Sequence, residues 1–120
     1  MNRTRMLAAA GLAALATAVV GATGAGAATP TLVASVSDPL NISLTQGGKK
    51  VTTLKAGAYT ITVQDKAADH NFRLTGPGVD KTTSVSGKGT TAWKVTLKKG
   101  TYKFVCDPHA SFMKGSFIVS

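Results

Sequence analysis

A single cysteine, Cys106, stands among 120 residues, so no internal disulfide can form and the fold must close on packing alone. Acidic residues number five against fourteen basic ones, and aromatics make up only 6% of the chain. Past the first few residues Arg73 is the sole arginine, and the lysines are dispersed without interleaved aromatics. Arginine forks that read bases and rings that stack on them are therefore missing, which excludes nucleic acid as the expected partner. No apolar run reaches the ~20 residues a membrane-spanning helix needs. A transmembrane anchor is not expected.

The longest apolar stretch, Leu7 to about Ala22, follows a short segment bearing Arg3 and Arg5. That order, with the small residues Ala25-Gly26-Ala27-Ala28 behind it, is the outline of a cleavable export signal over residues 1–28. No cysteine lies near the cleavage point to carry a lipid. Residues 29–120 then form one domain, large enough for a single modest core. Without Arg3 and Arg5 the formal net charge falls from +9 to +7. This balance favours an acidic partner or an anionic surface, although lysines on the outer faces of strands also serve solubility. The expected location is extracytoplasmic: periplasmic, cell-envelope or secreted. There a lone thiol is exposed to oxidation unless it is buried, bonded to another chain or capped by a metal.

Apolar and polar residues alternate with period two. Leu40, Ile42 and Leu44 form one such row, Tyr59, Ile61 and Val63 a second, and Trp93, Val95 and Leu97 a third. The pattern predicts half-buried strands and no helix. Gln46-Gly47-Gly48, Ala56-Gly57, Gly76-Pro77-Gly78, Gly87-Lys88-Gly89 and Lys99-Gly100 supply turn chemistry between the rows. About seven or eight strands at this spacing imply an all-β Greek-key sandwich of two antiparallel sheets. Nothing in the pattern demands more than a monomer.

Two strand ends carry chemistry. Tyr102 and Phe104 are in phase with Cys106, and His70 is in phase with Phe72 and Leu74, so a thiol and an imidazole should both face inward. After Asp107-Pro108 the chain returns His109 and then Met113 before the next apolar row. Beyond the signal these are the only two histidines, the only cysteine and the only methionine. Singly, His70 reads as a hydrogen-bonded strand end, His109 as a solvated loop residue, Cys106 as an inert buried thiol and Met113 as core filler. Together they match the demands of an ion that cycles between Cu(I) and Cu(II). Thiolate and thioether favour Cu(I), imidazole suits both states, and two His with one Cys and a distant Met is the blue-copper pattern. Zinc would prefer a closed tetrahedron in which a thioether is a poor fourth ligand. Asp107 could replace it only by turning back toward the site, and it follows Cys106 on a strand end and should face away.

The blocks Asp69-His70-Asn71-Phe72 and Tyr102 through Phe117 resemble those of the cupredoxins, the plastocyanin-like and pseudoazurin-like small blue copper proteins. The resemblance implies one copper per chain, held by His70, Cys106 and His109 with Met113 axial, and Asn71 fastening the ligand loop by hydrogen bonds. It also implies that electrons pass through an exposed edge of His109, around which Pro108 and Phe112 either form an apolar rim or simply pack the loop. Met113 follows His109 by four residues, between the five of plastocyanin-like loops and the three of amicyanin-like ones.

The leading expectation is a one-electron carrier with a redox protein partner, and no enzymatic activity. An extracytoplasmic module that buffers or delivers copper would use the same ligands. A hydrolase or transferase with Cys106 as nucleophile and a histidine as base would further need an orienting residue, an oxyanion site and a cleft, none of which the sequence signals.

Overall fold

The computed structural model describes residues 28–120, so the expected export signal lies outside the described residues apart from Ala28. Ten strands follow: β1 (Thr31–Ser37), β2 (Asn41–Gln46), β3 (Lys49–Lys50), β4 (Thr53–Leu54), β5 (Gly57–Asp65), β6 (Arg73–Gly76), β7 (Val79–Thr82), β8 (Gly89–Leu97), β9 (Gly100–Val105) and β10 (Lys114–Val119). They build two five-stranded sheets, in the orders β4-β10-β9-β6-β7 and β3-β2-β1-β5-β8. The chain crosses between sheets from β3 to β4, back from β4 to β5, and again from β5 to β6, from β7 to β8 and from β8 to β9, giving the expected Greek-key sandwich. The count exceeds seven or eight because β3 and β4 are two-residue strands, too short to show a period.

The sheets are mixed, which corrects the expectation of antiparallel pairing throughout. β1 runs parallel to β5, with Leu32 opposite Ile61 and Ala34 opposite Val63, and β10 runs parallel to β4. The reason lies in strand order. β1 sits between β2 and β5, with Leu32, Ala34 and Val36 fully buried on its inner face. Its hairpin neighbour β2 takes one side, and the other side is met by a strand arriving in the same direction.

The predicted alternation sets the core. Tyr59, Ile61 and Val63 from β5 and Trp93, Val95 and Leu97 from β8 face Leu74, Tyr102, Phe104, Phe117 and Val119 of the other sheet. Each apolar side chain buried this way contributes about 1.5–3 kcal/mol. Phe72 joins the layers: its ring stacks on Phe104 at 5.4 Å between centroids and reaches Trp93 at 6.2 Å. Leu40 differs from expectation. It lies in the β1–β2 turn, 45% exposed, because the turn extends through Leu40 and β2 begins only at Asn41. The turn at Gly47 and Gly48, with φ of 58° and 81°, is the two-residue hairpin its sequence signals.

Tyr102 anchors the end of the sandwich remote from the ligands. Its ring stacks on Phe117 at 5.3 Å, and its hydroxyl donates to Pro77 O at 2.8 Å and accepts from Lys98 N at 2.9 Å. Gly76 lies directly against that ring, leaving no room for a methyl group. Gly76→Ala should therefore cost about 1–3 kcal/mol through overpacking, read as a lower denaturant midpoint. An unchanged midpoint would mean that Tyr102 is free to move.

Candidate metal centre

β9 delivers Cys106 to one end of the sandwich, where the strand stops against a single 3₁₀ turn, Asp107–His109, with Pro108 in its first turn. Proline fixes φ and donates no N–H, which suits the start of a tight turn. Cys106 O accepts from His109 N at 3.0 Å, and His109 O accepts from Phe112 N at 2.9 Å and Met113 N at 2.8 Å. Cys106 N donates to Met113 O at 2.9 Å, closing the loop on itself before β10 begins. Cys106 and Met113 are thereby both fully buried at the loop's two ends.

His70 comes from the other side, and its position refines the expectation. It precedes β6 in an irregular segment, and His70, Asn71 and Phe72 are all buried in succession. Period two fails there because the segment plugs the end of the sandwich, with neighbours on both faces. Phe72 N donates to Thr83 Oγ1 at 2.9 Å and Thr83 N to Phe72 O at 3.0 Å. Asp65, at the end of β5, accepts from Ala67 N at 3.2 Å. Burial raises the Asp65 carboxyl above its ordinary range, with the Ala67 N–H acting in the opposite direction.

Three candidate ligands converge. Nδ1 of His70 lies 3.2 Å from Nδ1 of His109, and Cys106 Sγ lies 3.6 Å from each. The two rings meet edge to face, with centroids 4.8 Å apart. A trigonal first-row ion with bonds of about 2.0–2.3 Å separates its nitrogens by about 3.5 Å and nitrogen from sulfur by about 3.8 Å. The observed triangle needs only a few tenths of an ångström of expansion to fit. Two imidazole nitrogens and one cysteine sulfur converge, and a buried thioether ends the same loop, a set of donor types that fits a single type 1 copper site.

Asn71 ties the two sides together. Its Oδ1 accepts from Asp107 N at 2.7 Å, while its Nδ2 donates to Asp107 Oδ2 at 2.8 Å and to Thr82 Oγ1 at 3.0 Å. Its main-chain N–H points at Cys106 Sγ, 3.4 Å away. Asp107 faces away from the triangle, as its place after Cys106 implies, and pairs with Arg73 Nε at 3.1 Å. The Asn71 amide, followed by the Arg73 guanidinium, holds the Asp107 carboxyl below the usual range. Arg73 also reaches Asp80 at 3.0 Å.

His109 is the one partly exposed member of the triangle, beside exposed Pro108 and a Phe112 that is 75% exposed. Cys106 is wholly buried, where a nucleophile cannot meet a substrate. Sequence reasoning did not find the β1–β2 turn over His70. Pro39 O and Asp38 Oδ1 each lie 3.1 Å from His70 Nε2. Asp38-Pro39 signals a turn, but no local pattern places that turn against a residue 31 positions away.

Among the described residues no helix is long and apolar enough to cross a membrane. Comparison with solved structures finds reduced rusticyanin, 23% identical over 80% of this chain and 82% of that one, with a TM-score of 0.56. A rusticyanin point mutant is 24% identical over 79% and 80%, with a TM-score of 0.58. Rusticyanin from Thiobacillus ferrooxidans is 25% identical over 79% of each chain, with a TM-score of 0.54. These similarities describe the fold. A comparison with curated sequences finds no match. The family of copper binding proteins described as plastocyanin/azurin matches residues 38–120, or 83 of the 120, a span that holds every residue of the triangle. The chain belongs to the plastocyanin/azurin family of copper-binding proteins.

Proposed function

We propose that this protein is an exported one-electron carrier in which His70 Nδ1, Cys106 Sγ and His109 Nδ1 would hold one copper ion, with the Met113 thioether as the fourth donor. The observation that carries the reading is the convergence of three donors of the required types within 4.8 Å of one another. Bound copper supplies a one-electron couple. The chain's residues supply the rest. Three of these four residues, His70, Cys106 and Met113, are fully buried, which excludes water, and the Asn71 bonds oppose movement of the ligand loop against the sheets. A shell that changes little between oxidation states lowers the reorganisation that electron exchange requires. His109, with Phe112 and Pro108 at its exposed edge, offers the route out. Export rests on the basic, then apolar, then small-residue order of residues 1–28.

Two tests follow. Met113→Leu should keep copper and the blue colour but raise the midpoint potential, because removing the thioether changes the ligand field at the axial position. A shift on the order of 59 mV, equivalent to a tenfold gain in Cu(I) preference, is the expected scale. A wild-type potential would remove Met113 from the ligand set. The carrier role itself predicts a reversible couple and rapid exchange with an acidic redox partner. That exchange should slow as ionic strength rises, since the Debye length falls to about 10 Å at 0.1 M. Exchange with a neutral small oxidant should not change. Slow exchange with every partner, together with ready loss of copper to a chelator, would indicate copper delivery instead.

A further inference from the structure

The His70 ring has a second nitrogen whose surroundings the ligand set does not explain. Nδ1 is turned to Cys106 and His109, and a nitrogen that binds metal must be unprotonated, so the ring proton belongs on Nε2. Nε2 is met by three oxygens: Pro39 O at 3.1 Å, Asp38 Oδ1 at 3.1 Å and Asp69 Oδ1 at 3.8 Å. A backbone carbonyl alone would satisfy the donor. Beside that carbonyl the Asp38 carboxylate also stands 3.1 Å from Nε2.

We propose that Asp38 is a positioning residue for His70, accepting from Nε2–H to fix the ring and to favour the higher oxidation state of the bound copper. This rests on the copper reading above. Asp38 is held in place: Asn41 Nδ2 donates to its main-chain oxygen at 2.9 Å, and Ser37 pairs with Asn41 at the closing end of the β1–β2 hairpin. The His70 side chain is 1% exposed and the Asp38 side chain 70% exposed, so the carboxylate reaches the ring from the solvent side. A carboxylate acceptor makes imidazole a stronger donor at its other nitrogen. Its negative charge further stabilises Cu(II) over Cu(I), moderated by solvent. Asp69, as exposed as Asp38 but beyond hydrogen-bond distance, carries the charge without the bond.

Asp38→Asn, Asp69→Asn and wild type should be compared by midpoint potential, and by nitrogen-proton NMR of the His70 ring in the Cu(I) and metal-free proteins. Asp38→Asn should raise the potential by about three- to tenfold in Cu(I) preference, tenfold being 59 mV for one electron. Its Nε2–H resonance should move and exchange faster with water. Asp69→Asn should shift the potential less than half as far and leave that resonance in place. Equal potential shifts in the two variants, or an unmoved Nε2–H in Asp38→Asn, would overturn the proposal and leave Pro39 O as the sole acceptor. A wild-type protein without blue colour would overturn the copper reading instead, while the metal-free NMR would still decide whether Asp38 holds the ring.

Discussion

Cys106→Ser should abolish the intense visible band of the copper-loaded protein altogether while leaving the fold intact. The colour of a blue-copper site arises from charge transfer out of a thiolate, and the chain has no other thiol to supply it. Serine is nearly isosteric, and the main-chain bonds of residue 106, to Met113 O and from His109 N, do not involve the side chain. The hydroxyl would keep a contact with the Asn71 N–H but is too weakly acidic to ionise as the thiol does. Two imidazoles remain, so copper should still bind, more weakly and with an ordinary tetragonal spectrum. The check is the absorption spectrum beside far-UV circular dichroism. A band of undiminished intensity in a folded Cys106→Ser protein would place the metal elsewhere.

Asn71→Ala should have the largest effect on stability of any change near the site. It removes the acceptor of Asp107 N and the donor to Asp107 Oδ2 and Thr82 Oγ1, in a side chain that is almost wholly buried. The partners on Asp107 and Thr82 are exposed to water, so each of the three lost bonds costs about 0.5–1.5 kcal/mol and a loss of about 2–4 kcal/mol is expected. For a domain of this size that corresponds to roughly 10–25 °C in Tm. Copper affinity should fall by about 10–100-fold, as for other residues that orient ligands without touching the metal. The loss should also depend on pH. Asp107 has a folded-state pKa below its unfolded one, so the stability it confers is fully present above the unfolded value, near ~3.9, and disappears as pH falls through the folded value. Wild type and Asn71→Ala, both metal-free, should therefore differ most at neutral pH and draw together in acid. A gap that does not change with pH would mean that the bond from Asn71 Nδ2 to the Asp107 carboxylate adds nothing.

What the sequence made legible follows from which interactions are local. Tyr59, Ile61 and Val63, or Trp93, Val95 and Leu97, declare a buried face because side chains alternate along a strand, and the structure buries all six. Cys106, His109 and Met113 lie within eight residues on one loop, so their types and order signal the site before any coordinates exist. His70 was legible by residue type. Its neighbours were not, because Phe72, Asn71 and His70 are buried together where the segment seals the sandwich and no period applies. The parallel pairing of β1 with β5 was hidden for a different reason: strand direction depends on which element reaches an open edge, and alternation is the same either way. Asp38 and Pro39 were the least visible, since only the closed fold brings the β1–β2 turn over the ring of His70.

The most direct test of the central claim is titration of the chain from Thr29 onward with Cu(II), followed by visible and EPR spectroscopy. The account predicts uptake of one copper per chain, an intense band near ~600 nm and narrow copper hyperfine splitting, the signature of a thiolate-bound type 1 site. A weak tetragonal spectrum, or no stoichiometric uptake by the folded protein, would contradict it.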